Sequence, residues 1–400
     1  MVIRETILIS LCSVAGATYA QSSVTLYGIV DTAIVYQNSQ TALGSMRGGH
    51  SVIKMASGLA YGDRLGLKGV EDLGGGTRAI FTLESGFTLG TGAAQFTDAI
   101  FGRQAFVGLS NPKSGTLTAG RQYSAYYTLL MPYSSEIWLR GSFGAHPGDV
   151  DALDQPTRVN NSLVYQSPEI HGLRFAGSYA VGGVPGRFNS GSTWSVATSY
   201  AAGPVGIAIG ILRINNSTPG GGVFGTASTA SGGGQIGVSA VTNGYATAQA
   251  QQRIAVTGRH IFNPILDLSL SYSNVQYIPG ANSAFRDTAV WNTAGAVLHY
   301  RASSRWDFAV GYSYTRSTRA NGITAAAQYQ QINLAEYYTL SKWTGIYALQ
   351  GYQRAYGQTL GSRGAGNFIA ATSALGDGFQ STPSSSSSML AIGIGIYQQF

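Results

Sequence analysis

From residue 23 onward the chain alternates apolar and polar side chains with a period of two. In Ile265-Leu-Asp-Leu-Ser-Leu-Ser-Tyr-Ser273, Leu266, Leu268, Leu270 and Tyr272 share one face, and Asp267, Ser269, Ser271 and Ser273 share the other. The stretch 306–315 repeats this, with Trp306, Phe308, Val310, Tyr312 and Tyr314 opposed to Asp307, Ala309, Gly311, Ser313 and Thr315. Successive side chains of a strand point to opposite faces, so each stretch predicts a strand greasy on one side only. Sixteen such segments can be read, near 23–37, 62–71, 77–87, 101–110, 115–123, 158–167, 173–181, 192–201, 205–216, 245–262, 265–277, 288–302, 305–317, 327–341, 345–357 and 388–400.

The connections alternate in length. Seven are tight and hold the Gly, Pro, Asn and Ser of real turns: 71–76, 111–114, 168–172, 202–204, 263–264, 303–304 and 342–344. Eight are longer, and those at 218–244 and 358–387 are rich in Gly, Ser, Ala and Thr. An even strand count with short turns at one rim and long loops at the other predicts an all-β, 16-stranded antiparallel transmembrane β-barrel. Lipid offers no partner to an open sheet edge, so such a sheet must close on itself. The last strand suits a seam: Leu390, Ile392, Ile394 and Ile396 face one way, opposite Ala and Gly, and Phe400 follows.

One stretch breaks the rhythm. Between the strands ending at Gln122 and starting at Arg158, residues 123–157 have no sustained period. Tyr123, Tyr126, Tyr127, Leu129, Leu130, Met131, Tyr133, Ile137 and Trp138 make it too apolar to stay disordered. It is expected to fold into the bore and narrow it.

Composition sharpens the picture. Only 10% of residues are charged, against roughly 25% in soluble proteins. No run of apolar residues is long enough for a spanning helix. Residues 1–20 read as a secretory signal peptide cut after Ala20, leaving 21–400 as one barrel domain. Cys12, the only cysteine, leaves with it, so no disulfide or thiol chemistry is expected. Arg4 and Glu5 cancel, so the mature chain keeps the formal net charge of +7. The cations are scattered singly, which argues against nucleic acid as a partner.

Four motifs then stand out in order: Leu26-Tyr-Gly-Ile-Val-Asp31, Arg64-Leu-Gly-Leu-Lys-Gly-Val-Glu-Asp-Leu-Gly-Gly-Gly76, Arg103-Gln-Ala-Phe-Val-Gly-Leu109 and Gly115-Thr-Leu-Thr-Ala-Gly-Arg-Gln122. With Phe400 they resemble the Gram-negative general porins, in the branch typical of β-proteobacteria. The resemblance covers essentially the whole mature chain. It implies a homotrimer in the outer membrane, among its lipid and lipopolysaccharide, with one pore per subunit. It further implies an inward third loop and passive diffusion of small hydrophilic solutes and ions. Phe400 would be the C-terminal assembly residue.

The family pattern sets wall cations against loop carboxylates. Alternation turns Arg64 and Lys68 inward if Leu65 and Leu67 face out, and Arg158 inward if Val159, Leu163 and Tyr165 face out. Arg103 turns inward on the reading that Phe106 and Gly108 face out. Arg78 and Glu84 also fall on the inner face. The basic candidates are therefore Arg64, Arg103 and Arg158, with Arg78 and Lys68 in support. The acidic candidates on the loop are Glu136, then Asp149, Asp151 and Asp154, although the loop also carries Arg140 and its tip reads Pro132-Tyr-Ser-Ser-Glu136. The balance predicts a modest anion preference. Arg121 shares parity with Leu117 and Ala119 and so faces outward, either high near the lipid headgroups or, as the favoured reading, under a second subunit latched by the loop at 88–99. Glu336 falls on the apolar face without explanation.

Enzymatic readings find little. The five histidines are dispersed, neither HExxH nor CxxC occurs, and Gly74-Gly-Gly76 lacks the helix and Lys-Ser/Thr of a phosphate loop. No cofactor or metal is expected. The alternatives to a general channel are a substrate-specific outer-membrane channel and, in another class, a surface adhesin or structural barrel.

Overall fold

Among the described residues, seventeen strands form one sheet and follow the alternation. The first six are β1 (Ser23–Gln40), β2 (His50–Ser57), β3 (Arg64–Gly74), β4 (Thr77–Gly86), β5 (Gln104–Asn111) and β6 (Gly115–Tyr123). After the long loop come β7 (Arg158–Gln166), β8 (Leu173–Ala180), β9 (Thr193–Ala202), β10 (Val205–Asn215) and β11 (Ala250–Asn263). The last six are β12 (Leu266–Ile278), β13 (Ala289–Arg301), β14 (Trp306–Ser317), β15 (Gln328–Thr339), β16 (Thr344–Tyr356) and β17 (Ser388–Gln399). This computed structural model describes residues 22–41, 47–139, 141–230, 241–376 and 382–400. The expected signal peptide with Cys12, and Arg140, lie outside the described residues.

Every neighbour pairing of these strands is antiparallel, and β17 pairs with β1 from Ile29↔Gln399 to Gln37↔Ala391, closing the barrel. β2 and β3 lie end to end along β1: Thr32–Gln40 faces β2 and Ser23–Ile29 faces β3. Together they form one interrupted stave, so seventeen strands make a barrel of sixteen staves. The expected second segment began at 62; β2 was not anticipated. Its outward Ile53 and Met55 are 74% and 67% exposed, while Ala56 is buried. Val52 beside Ile53 had blurred the alternation.

At the tight-turn rim the chain ends meet. Gly28 N–H donates to Phe400 O at 3.0 Å and Phe400 N–H to Gly28 O at 3.1 Å. The Phe400 ring lies over Gly28, where a Cβ would come within 2.4 Å of it. The β3–β4 turn needs its glycines, because Gly74, Gly75 and Gly76 all have positive φ (84°, 61° and 79°). On the outer face, Glu336 accepts a hydrogen bond from Gln350 Nε2 at 2.9 Å, which accounts for a carboxylate among apolar neighbours.

The interior is not an empty cylinder. β11 begins at Ala250, not 245, because Asn243–Tyr245 forms a 3-10 turn in a loop that folds inward. Val241, Tyr245 and Ala248 pack with Leu360, Ala371 and Ala374 of another long loop. They cover the lumen-facing Val275, Tyr277, Trp291 and Tyr329 and reach Val150 of the 123–157 loop. Parts of two long connections thus help to fill the bore beside the 123–157 loop. Residues 231–240 and 377–381 of those connections are outside the described set.

Candidate functional site

Ser124 starts the long loop as a helix cap, its Oγ accepting from Tyr127 N–H, and α1 (Ala125–Leu130) follows. Tyr126, Leu129, Leu130 and Leu153 bury themselves against inward-facing Ala197, Ala208, Leu212 and Ala255 of β9–β11. Beyond α1 the loop follows the wall, hydrogen-bonded to β11, β12 and β15 and stacked on β13. Thr257 Oγ1 donates to Leu130 O at 2.9 Å, and Arg253 Nε to Val150 O at 2.9 Å. Trp138 Nε1 donates to Asp267 Oδ1 at 2.9 Å and its ring stacks on His299 at 3.6 Å. Gln331 Nε2 donates to Ala145 O at 2.7 Å, and Asn333 Nδ2 to Phe143 O.

The loop ends its crossing on the break in the second stave. Between β2 and β3, residues 58–63 turn into the lumen, where Leu59 is 1% exposed. Asp31 holds this kink: its carboxylate accepts from Ala60 N–H at 2.8 Å, Tyr61 N–H at 2.6 Å and the Tyr347 hydroxyl. Asp31 N–H in turn donates to Asp63 Oδ1 at 2.6 Å. Leu59 O then accepts from Ser142 N–H at 3.1 Å, and Leu59, Leu139 and Phe143 share one apolar cluster. Nothing in the two-residue period announced this anchor. Its only trace is Leu59-Ala-Tyr61 set between Gly58 and Gly62.

The loop thus lies along β9–β16 and reaches β1, leaving the wall of β1–β7 opposite. There Arg64, Arg103 and Arg158 gather around Tyr123. Arg103 Nε binds Glu84 Oε1 at 2.7 Å and its Nη2 donates to Tyr123 OH at 3.3 Å. Arg158 lies over the Phe96 and Tyr123 rings at 5.0 and 5.6 Å. Arg64 Nε donates to Gly62 O at 2.9 Å. The parity argument for Arg103 was wrong although its conclusion holds. Val107 and Leu109 are the outward residues, 61% and 53% exposed. Arg103 precedes β5, so the alternation of that strand does not govern it.

Glu84, on β4, is the carboxylate that meets this cluster. It also accepts from Tyr27 OH at 2.8 Å. Glu84→Ala is expected to destabilise the barrel by about 3–5 kcal/mol, since it strands a guanidinium buried with its partner. Urea unfolding followed by tryptophan fluorescence measures this, and Glu84→Gln should recover part of the loss.

The loop carboxylates take other work. Glu136, Asp149 and Asp151 are buried, 3%, 7% and 0% exposed, and only Asp154 is half-buried. Each neutralises loop backbone or docks it. Glu136 Oε1 accepts from His146 N–H at 2.6 Å; Asp149 accepts from the N–H groups of Asp154 and Gln155; Asp154 Oδ1 accepts from Gly141 N–H at 3.2 Å. Asp151 Oδ2 accepts from Ser273 Oγ at 2.8 Å and meets His146 Nδ1 at 2.8 Å, while His146 Nε2 meets Ser135 Oγ at 2.9 Å. Ser135 in turn bonds Ser271 of β12, so a buried ring of polar groups rivets loop to wall. Glu136, His146 and Asp151 hold donor atoms within 4.8 Å of one another, the spacing of a cation site, and hydrogen bonds already join them.

Burial and the charges of Asp151, Asp149 and Asp154 push the Glu136 carboxyl well above the usual range. A carboxyl raised in the folded state stabilises it at low pH, and that contribution fades as pH climbs from the ordinary carboxylate range through the raised value. Thermal unfolding at stepped pH is expected to show this alkaline loss in the native chain and not in Glu136→Gln. Burial alone would raise Asp151 too, but His146 and Ser273 hold it below the usual value.

Three further candidates lie outside the trio of arginines. Lys68 is exposed, its Nζ 4.3 Å over the Tyr27 ring. Arg78 is exposed opposite Asp72, six residues down β4 from Glu84, or roughly 20 Å at 3.3 Å per residue, and so belongs to the tight-turn mouth. Arg121 does point outward, opposite Ala105, but its own subunit occupies it. Its Nε donates to Gly102 O at 2.7 Å, Nη1 donates to Asn160 Oδ1, and the guanidinium lies 5.7 Å from the Phe96 ring. The loop after β4 thus covers Arg121 in part within one chain.

Comparison with known proteins agrees with this architecture. An outer membrane porin protein of Bordetella pertussis is 32% identical over 229 residues, covering 52% of this chain and 58% of the relative. That match spans little more than half the relative's length. Among solved structures, an anion-selective porin from Comamonas acidovorans superposes with a TM-score of 0.64 at 21% identity, covering 95% of this chain and 100% of that one. The in-vitro folded trimer form of OmpT, an outer membrane protein of Vibrio cholerae, gives 0.61 at 15% identity, covering 95% and 99%. The sequence profile of the Gram-negative porins matches residues 8–358. A closed barrel of sixteen staves, a bore narrowed by its own loop and a profile match over most of the chain place this protein in the Gram-negative porin family, as a β-barrel of the outer membrane.

Proposed function

We propose that the chain forms a water-filled outer-membrane channel for passive diffusion of small hydrophilic solutes and ions, preferring anions and catalysing no reaction. One observation carries the preference. Half-buried Arg64 on the wall beside the loop bonds a carbonyl and no carboxylate, with Arg103 and Arg158 buried behind it, while three of the four loop carboxylates are buried in the loop's own bonding. Glu84 offsets one cation and half-buried Asp154 another in part. The field left in the passage is positive, and fixed charges at a constriction sort ions. The Comamonas acidovorans structure bears the description anion-selective, which accords with this reading. The test is a planar bilayer with a salt gradient: reversal potentials should favour chloride over potassium, and a cation preference would overturn the proposal.

A homotrimer is the proposed assembly. The outward Ile34, Ile53, Met55 and Ile394 on β1, β2 and β17 are 64%, 74%, 67% and 65% exposed, a surface suited to another barrel. Mass measurement by light scattering in mild detergent checks it. A narrower, solute-selective channel is favoured by the packing of 241–248 and 360–374 inside the bore. Liposome swelling with neutral sugars of graded size separates the two readings, because a selective channel discriminates among sugars of equal size.

A further inference from the structure

A groove of about 550 Å³ opens on the outer face at the long-loop rim, across β12, β13 and β14. Its floor is Ala294. The register places Ala294 directly between Tyr272 of β12 and Tyr314 of β14, so one small side chain lies between two rings. Tyr272 OH is fixed by donating to Asn292 Oδ1 at 3.0 Å, and Tyr314 OH by donating to Gln328 Oε1 at 2.9 Å. The result is a slot with aromatic sides and an apolar base.

Two cations stand at its upper end. Arg316 and Arg319 line the groove, both are exposed, and neither makes an ion pair or side-chain hydrogen bond among the described residues. The nearby Asp287 carboxylate is taken by Asn321 N–H at 2.9 Å. Depth gives these cations meaning. Up the lipid face of β14 the outward residues run Trp306, Phe308, Val310, Tyr312, Tyr314 and Arg316. Aromatic residues flank the apolar band of such barrels, so Arg316 comes just past the upper girdle, at headgroup level. An arginine there costs little and pairs with phosphate in a fork of hydrogen bonds. The groove also lies away from the exposed apolar face of β1, β2 and β17, with β15 and β16 between.

We propose that this groove holds a phosphorylated lipid of the outer leaflet, one acyl chain lying over Ala294 between Tyr272 and Tyr314, with a phosphate bridged by Arg316 and Arg319. The inference rests on the membrane placement argued above, with the long loops outward, and not on the channel's selectivity. Native mass spectrometry of the detergent-purified protein tests it, with bisphosphorylated lipid A, dephosphorylated lipid A and phosphatidylethanolamine offered separately. Bisphosphorylated lipid A should be retained through delipidating washes and dephosphorylated lipid A should not; phosphatidylethanolamine, with a single phosphodiester, should be retained less than lipid A, and its equal retention would overturn the outer-leaflet assignment. The double change Arg316→Gln, Arg319→Gln is expected to cut retention about tenfold or more, as for loss of charge-assisted hydrogen bonds. Ala294→Trp, which fills the slot, should do the same. Equal retention by the double variant, or equal retention of dephosphorylated lipid A, overturns the proposal. Full retention by Ala294→Trp reduces the site to a phosphate contact and overturns the lipid slot. Both variants alter only the outer face, so unchanged bilayer conductance and heat-shifted gel mobility establish that they fold. A native chain that retained lipid A but passed no current would sink the channel reading alone.

Discussion

Replacing Arg64 with glutamate is expected to turn the channel's ion preference from anions towards cations. A unit charge about 8 Å from a passing ion contributes roughly 0.5–2 kcal/mol for an effective dielectric of 80 down to 20. Reversing the sign doubles that to about 1–4 kcal/mol, and a tenfold change in preference needs only about 1.4 kcal/mol. Arg64 is the informative choice because it is only half-buried and its guanidinium bonds a carbonyl, not a carboxylate. Arg103 and Arg158 are 5% and 0% exposed, so changing either perturbs the wall before it perturbs the field. The shift should shrink as salt rises, since the Debye length falls from about 10 Å at 0.1 M to about 3 Å at 1 M. Reversal potentials unchanged by Arg64→Glu at 0.1 M salt would show that the arginine cluster does not set selectivity.

Gly141→Val is expected to unseat the loop, raise single-channel conductance and admit larger solutes. Gly141 has φ 85°, a conformation that costs a residue with a side chain about 1–2 kcal/mol. A Cβ there would also lie 1.8 Å from Leu59 O, a backbone atom in the kink that cannot swing aside. The loop must therefore release Ser142 from Leu59 O and draw Leu139 and Phe143 out of their cluster. Limited proteolysis from the loop side should cut the variant within 123–157 and spare the native chain. Native conductance together with native protease resistance in the variant would refute this account of the anchor.

Strands and loop differ in how far they could be read from sequence. Period two survives wherever one face meets lipid and the other water, so Leu266 to Tyr272 and Trp306 to Tyr314 declared their orientation correctly. The pattern failed where the environment of one face changed. In β2, inward Val52 sits beside outward Ile53, and in β13 and β15 inward Trp291 and Tyr329 are apolar because folded loops cover them. Just outside a strand, parity carries no information, which is why Arg103 reached the lumen by a wrong argument. The loop carboxylates failed for a related reason. An irregular backbone exposes many N–H groups that need acceptors. Glu136, Asp149 and Asp154 supply them, and residue type alone could not tell a pore-facing acid from a backbone acceptor. Glu84 could be placed on the inner face by alternation, but its pairing with Arg103 depends on the turn at Gly102 and Arg103, which carries no periodic signal.

The interrupted second stave has a consequence for how the molecule is made. The seat that receives the loop tip draws on Asp31 and Leu59 from the beginning of the chain and on Tyr347 and Ala391 from its end. No such receptor exists until the final strand has zipped to the first. The loop tip would therefore seat last, after the contacts of the loop with β9–β13 and β15. Insertion and maturation would then be separable events, closure of the sheet coming before the tip locks into its seat.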